Sequence, residues 1–167
     1  MMFDTSVPYF VHFLKSLSAI LKKAEAHCEA KKIEPAVMLS MRLFPDMFAV
    51  TRQVQIATDS AKGAGARLAG IQVPSFPDEE KTFAELQARI AKTIDFLSTL
   101  TKEHFEGAES RAISLKAGGR DMNFTGADYL ERWAKPNFFF HITTAYAILR
   151  HCGVEIGKPD YLAGGAI

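Results

Sequence analysis

Residues 136–153 read PNFFFHITTAYAILRHCG, and this stretch decides the fold. From Phe138 to Leu149 it is apolar nearly all round, the pattern of a helix buried on most sides. Pro136 suits a first helical position, where a missing N–H costs nothing, and Gly153 suits a left-handed cap at the far end. Such a helix needs amphipathic partners, and the chain upstream supplies them. Phe10, Phe13, Leu14, Leu17, Ile20, Leu21, Ala24 and Cys28 recur at three-and-four spacing, with Lys15, Lys22 and Lys23 opposite. They predict a long first helix that Ser6 caps, Pro8 opens and Glu34-Pro35 ends near Lys32.

After a connector, EPAVMLSMRLFPD, Asp46 offers a cap for a second helix with the stripe Met47, Val50, Val54, Ala57, Ala61, Ala64 and Leu68. Gly63 and Gly65 each cost about 1 kcal/mol relative to Ala inside a helix, so they mark fraying or a closely packed neighbour. The segment GIQVPSFPDEE ends the run as a loop and a natural cleft rim. Thr82 with Glu85 is a capping-box arrangement that opens a third helix carrying Phe83, Leu86, Ile90, Ile94, Leu97 and Leu100. Next, Ala112, Ser114 and Lys116 alternate with Ile113 and Leu115 ahead of Gly118-Gly119, which predicts a small β-hairpin inserted between helices three and four. GADYLERWA reads as a short helical turn with Trp133, and EIGKPDYLAGGAI as a partly ordered arm. The expected fold class is all-α, an antiparallel four-helix bundle with a hairpin insertion, as a single domain over 1–167.

Composition narrows the function. Lys+Arg 20 against Asp+Glu 19 leaves a net charge of +1, without the basic excess of a nucleic-acid binder. The apolar run 138–149 is about a dozen residues long and is interrupted by His141, Thr143 and Thr144, too short and too polar to span a bilayer. Asp4 and Pro8 stand where a signal peptide would need basic and then apolar residues, so a cytoplasmic protein is expected. Cys28 and Cys152 have no metal or redox spacing and read as buried free thiols. No phosphate loop, nucleophile elbow or spaced carboxylate pair occurs.

The stretch FTGADYLERWAKPNFFFHITTAYAILRHCGVEIGKPDYL, residues 124–162, resembles the C-terminal signature of an uncharacterised domain-of-unknown-function family within the DinB/YfiT-like superfamily. Residues 52–70, RQVQIATDSAKGAGARLAG, resemble the same family. The resemblance implies a DinB-like bundle of no established activity. The wider superfamily implies a divalent metal held by a second-helix histidine and an HxxxH pair on the fourth helix, with some relatives acting as thiol-dependent transferases or isomerases. Here His141 falls at the second place of that pair, Asn137 at the first, and no histidine occurs between Arg52 and Asp59. Transition metals favour imidazole and thiolate over neutral amide oxygen, so no cofactor is expected and the metal site reads as degenerate.

The candidate ligand-binding residues are Asn137, His141, Gln55 and Asp59. Three readings of His141 stand side by side: a hydrogen-bonded core histidine, one group of a metal-free small-molecule pocket, and a metal ligand. The leading function is a DinB-like bundle with a polar cluster around His141 that binds a small molecule or only fixes the core. The alternatives are a divalent-metal-dependent thiol transferase or isomerase, and a non-catalytic interaction module using the Gly63/Gly65 surface and the tail. A homodimer is expected from the same small-residue surface. His12 and His104 read as surface groups, Asp59 and Lys62 as a surface pair at i,i+3, and Phe138, Phe139 and Phe140 as core.

Overall fold

The computed structural model describes residues 2–163, so the last four residues of the C-terminal arm lie outside the described residues. Helix α1 spans Val7–Lys31 and buries Phe10, Leu14, Leu17, Leu21, Ala24 and Cys28 along one face. Its end is local chemistry: Lys32 turns left-handed at φ 55°, and the Ile33 N–H reaches the Cys28 carbonyl at 2.9 Å. Ser6 is not the side-chain cap expected of it. Residues 2–6 already coil, so its hydroxyl donates back to the Met2 carbonyl at 2.7 Å.

The connector holds an unexpected short helix, α2 (Pro35–Ser40), which Pro35 opens and which buries Met38 and Leu39. Helix α3 spans Val50–Ala69 and starts later than the Asp46 cap predicts, with Ala49 at its N-cap. The Val50 N–H donates to the Met41 carbonyl at 3.0 Å, so backbone from the connector supplies the acceptor that a capping side chain would otherwise provide. Helix α4, Phe83–Ser98, begins on the expected capping box: Glu85 N–H donates to Thr82 Oγ1 at 3.2 Å, and Thr82 N–H to Glu85 Oε2 at 2.9 Å.

Strands β1 (Ala112–Ala117) and β2 (Arg120–Thr125) pair antiparallel with Ile113 opposite Phe124. Their two-residue loop has φ 55° at Gly118 and 76° at Gly119, the left-handed pair that a tight hairpin loop matched to strand twist requires. The chain then runs helically without a break. A short helix α5 (Gly126–Tyr129), capped by Thr125, passes through a π-turn at Leu130–Ala134 into α6 (Lys135–His151). The Lys135 N–H reaches the Leu130 carbonyl five residues back, so one turn is widened and GADYLERWA joins the last long helix. A final helix α7, Lys158–Ala163, gives part of the predicted arm a regular form against α1.

Helix α6 packs on α3 and α1, while α4 packs on α1 and α3, so the four long helices share one apolar core. Ala64, Gly65 and Ala66 are buried within it, and Gly63 is buried beneath the Arg67 side chain. The small-residue surface invoked for a dimer or interaction module is therefore internal: a Cβ at position 65 would sit 2.7 Å from a Leu97 methyl and 2.8 Å from one of Leu100. The phenylalanine triplet also divides. Phe138 stands edge-on to Phe10 at 4.8 Å, Phe139 is half-buried on Phe13, and Phe140 is 56% exposed. Cys28 is buried, Cys152 half-buried, and both are free thiols. Among the described residues no helix is long and apolar enough to cross a membrane.

Candidate functional site

His141 faces α3 from the middle of α6 and is 9% exposed. Its Nδ1 lies 2.7 Å from Gln53 Oε1. The Gln53 Nε2 donates to the Phe48 carbonyl at 3.1 Å, so the amide oxygen is the acceptor and the network assigns the imidazole proton to Nδ1. Burial pushes the His141 pKa below its ordinary value, and the Arg52 charge adds to the effect. Both effects favour the neutral ring.

The partner on α3 is Gln53, which was not among the expected residues. Residues two apart on a helix point roughly 200° apart, so Gln53 and Gln55 cannot serve one site. The phase of the stripe carries the signal that distinguishes them. Gln53 lies three residues after Val50 and four before Ala57, both fully buried, whereas Gln55 lies off that line.

Gln55 belongs to a second cluster, built around Arg89 of α4. The Arg89 side chain is 1% exposed and finds a partner in every direction. Its Nε donates to Thr58 Oγ1 at 2.7 Å, and its Nη1 to the Pro77 carbonyl and Glu80 Oε1, both at 2.9 Å. Its Nη2 meets Asp59 Oδ1 at 2.8 Å and Asp78 Oδ1 at 3.0 Å. Gln55 Nε2 donates to Glu80 Oε2 at 2.8 Å. Burial raises the Glu80 pKa, but the hydrogen bonds from Arg89 and Gln55 outweigh it and hold the carboxyl below its ordinary value. Asp59 also pairs with Lys62 at 2.9 Å, and this is not the surface pair expected: the Lys62 side chain is 5% exposed, its Nζ 4.0 Å from the centre of the Phe76 ring. The cluster pins the 70–82 loop onto α3 and α4.

Asn137, one turn before His141, is half-buried and donates to the Trp133 carbonyl at 2.8 Å. It borders a cleft of about 200 Å³ between α3, the hairpin and the π-turn. Asp59 and Arg67 line the α3 side, Tyr129 and Trp133 the opposite side. Arg67 Nη1 donates to the Tyr129 hydroxyl at 3.2 Å. Tyr129 is itself buried, which raises its phenol pKa against the opposing pull of the Arg67 charge. The four expected residues are thus divided: Asn137 and Asp59 share the cleft, His141 pairs with Gln53 beside it, and Gln55 is held in the Arg89 cluster.

Among the described residues, no three His, Cys, Asp or Glu side chains gather to hold a metal. The donors on α3 and α6 are one imidazole, the neutral amides of Gln53 and Asn137, and the Asp59 carboxylate, whose Oδ1 is taken up by Arg89 and Lys62, a set that does not fit zinc or nickel.

Comparisons with known proteins agree with this architecture. No curated protein matches the chain. The crystal structure of a DinB family member protein from Shewanella denitrificans is similar over 98% of this chain and 92% of that one, with 44% identity and a TM-score of 0.90. Residues 2–162 match the model of a domain of unknown function, DUF1993. With the match covering nearly all of the described residues, the chain belongs to the DUF1993 family and is DinB-like.

Proposed function

We propose that this DinB-like chain, a four-helix bundle with the hairpin closing one side, binds a small organic molecule without a metal. The ligand occupies the cleft between α3 and the helical run from Tyr129 to Asn137. The observation that supports this reading is the meeting of Asp59 and Asn137 in one concave space walled by Trp133. Polar groups that converge beside apolar faces, here Leu115, Ala134 and the Trp133 ring, are usual in a small-molecule site, and π-turns are frequent at functional sites. In this reading His141 with Gln53 fixes the register of α6 on α3 and so positions Asn137, four residues earlier on the same helix.

Trp133 is the single tryptophan of the chain, so its fluorescence reports the cleft. Titrating a broad set of small metabolites should find at least one that changes the emission saturably. Ser60→Phe, which fills the cleft from α3, should abolish the response while the melting temperature is kept. A set with no binder, or a binder indifferent to the filled cleft, overturns the reading. Stoichiometric zinc or nickel in tag-free protein overturns its metal-free part.

A further inference from the structure

We propose that the cleft takes a small monocarboxylate, gripped by the Arg67 guanidinium and laid against Trp133, an inference that rests on the reading of the cleft as a binding site. Arg67 has five N–H donors in a flat fork, the shape that matches a carboxylate with two parallel hydrogen bonds. One of them meets the Tyr129 hydroxyl at 3.2 Å, and among the described residues no carboxylate pairs with this arginine. An arginine half-withdrawn from water in a concave site, met by the Tyr129 ring and hydroxyl but by no carboxylate of the described residues, is a receptor for an anion.

The backbone is shaped for this placement. Gly63 stands one turn before Arg67 inside α3, and the guanidinium lies back over it: a Cβ at position 63 would collide with Arg67 Nη1 and meet nothing else closer than the Arg67 Cζ at 3.6 Å. The glycine, unfavourable in a helix, leaves room for the guanidinium beside the Tyr129 hydroxyl.

Charge and size narrow the ligand. Asp59 on the same wall does not neutralise Arg67, because its Oδ1 is already held by Arg89 at 2.8 Å and Lys62 at 2.9 Å. Lys116 also lines the cleft, with Asp121 at 3.8 Å from it, so selection against phosphate comes from the apolar faces of Trp133 and Leu115, which a phosphate cannot use. The volume, about 200 Å³, falls below the roughly 300–1,000 Å³ of drug-sized sites, so the ligand has few heavy atoms. Trp133 and Leu115 offer its body apolar contact.

Benzoate is a suitable probe, with benzyl alcohol as its neutral counterpart and inorganic phosphate as the dianion, each titrated against Trp133 fluorescence and calorimetry. Benzoate should bind saturably, and both benzyl alcohol and phosphate more weakly. Arg67→Leu should weaken benzoate by about tenfold or more, as loss of a charged hydrogen-bond partner does. Gly63→Ala keeps every charge and favours the helix, yet displaces the guanidinium; it should weaken benzoate by a similar factor while the thermal melt is at or above the parent's. Benzoate that fails to bind, or binds Arg67→Leu and Gly63→Ala as it binds the parent, overturns the proposal, as does tighter binding of phosphate. Benzyl alcohol binding as well as benzoate, and indifferently to Arg67→Leu, overturns the carboxylate grip and leaves the cleft standing as a site.

Discussion

Two arginines carry the contrast between the halves of this molecule. Arg89, on α4, is almost wholly buried and is answered by Thr58, Pro77, Glu80, Asp59 and Asp78. Arg67, on α3, has the Tyr129 hydroxyl and no carboxylate among the described residues. A guanidinium with every donor occupied holds a structure together; one with donors left over can hold something that arrives from solution. Satisfaction, more than burial, separates the scaffold from the site.

The largest test of this contrast is Arg89→Leu. It leaves the largely buried Glu80 carboxylate without its cation and Thr58 and the Pro77 carbonyl without their donor, and should destabilise the fold by about 3 kcal/mol or more, read as a fall in the urea midpoint. Arg67→Leu, removing an equal charge, should change stability by no more than about 1 kcal/mol. Comparable losses in the two variants would break the comparison.

The same difference between filled and open space repeats at two glycines. Gly65→Ala drives a methyl into Leu97 and Leu100 and should cost about 1–3 kcal/mol in chemical denaturation. Gly63→Ala meets only the end of a flexible side chain and should stabilise the helix, by up to about 1 kcal/mol. Opposite signs from one substitution, two residues apart, would sharpen the distinction; equal signs would blunt it.

The gentlest effect is in the pH dependence. His141 has a folded pKa below its ordinary 6.5, so its contribution to stability is full above that value and is lost as pH falls through the lowered folded one. Glu80 behaves likewise below its ordinary 4.5. The parent should therefore lose urea resistance as pH falls below about 6.5, and His141→Gln should flatten that slope without changing the loss below about 4.5. An unchanged slope in the variant would remove His141 from the account.

Much of the fold was legible because its signals are local. The Thr82–Glu85 box, the Gly118-Gly119 loop between alternating strands and the Phe10 to Cys28 stripe each act within a few residues of themselves. The start of α3 was not, since its acceptor is the Met41 carbonyl, brought round by the connector. The site was legible in part. Asn137 and His141 stand one turn apart on α6 as their spacing predicts and Asp59 lines the cleft, whereas the Gln53 partner of His141 is marked only by the phase of the α3 stripe. Arg89 stands between Leu86 and Ile90 on a helix that reads as simply amphipathic, and its partners come from the 70–82 loop and α3; no spacing along α4 announces them. Gly63 reads in the sequence as a mark of fraying or of a close neighbour, and that neighbour is the Arg67 side chain one turn on, a contact that no spacing specifies.

The widened turn at Leu130–Ala134 has a consequence for how this chain can change length. Each residue of a helix advances the azimuth by about 100° and the rise by about 1.5 Å. Losing one residue there would relax the π-turn to an ordinary turn, leaving α6 seated on α3 while swinging Tyr129 and the hairpin behind it away from Arg67. Between the Thr125 cap and Pro136, then, deletions should be far more damaging than substitutions, and a relative shorter by one residue in that interval would keep the core of this protein without its cleft.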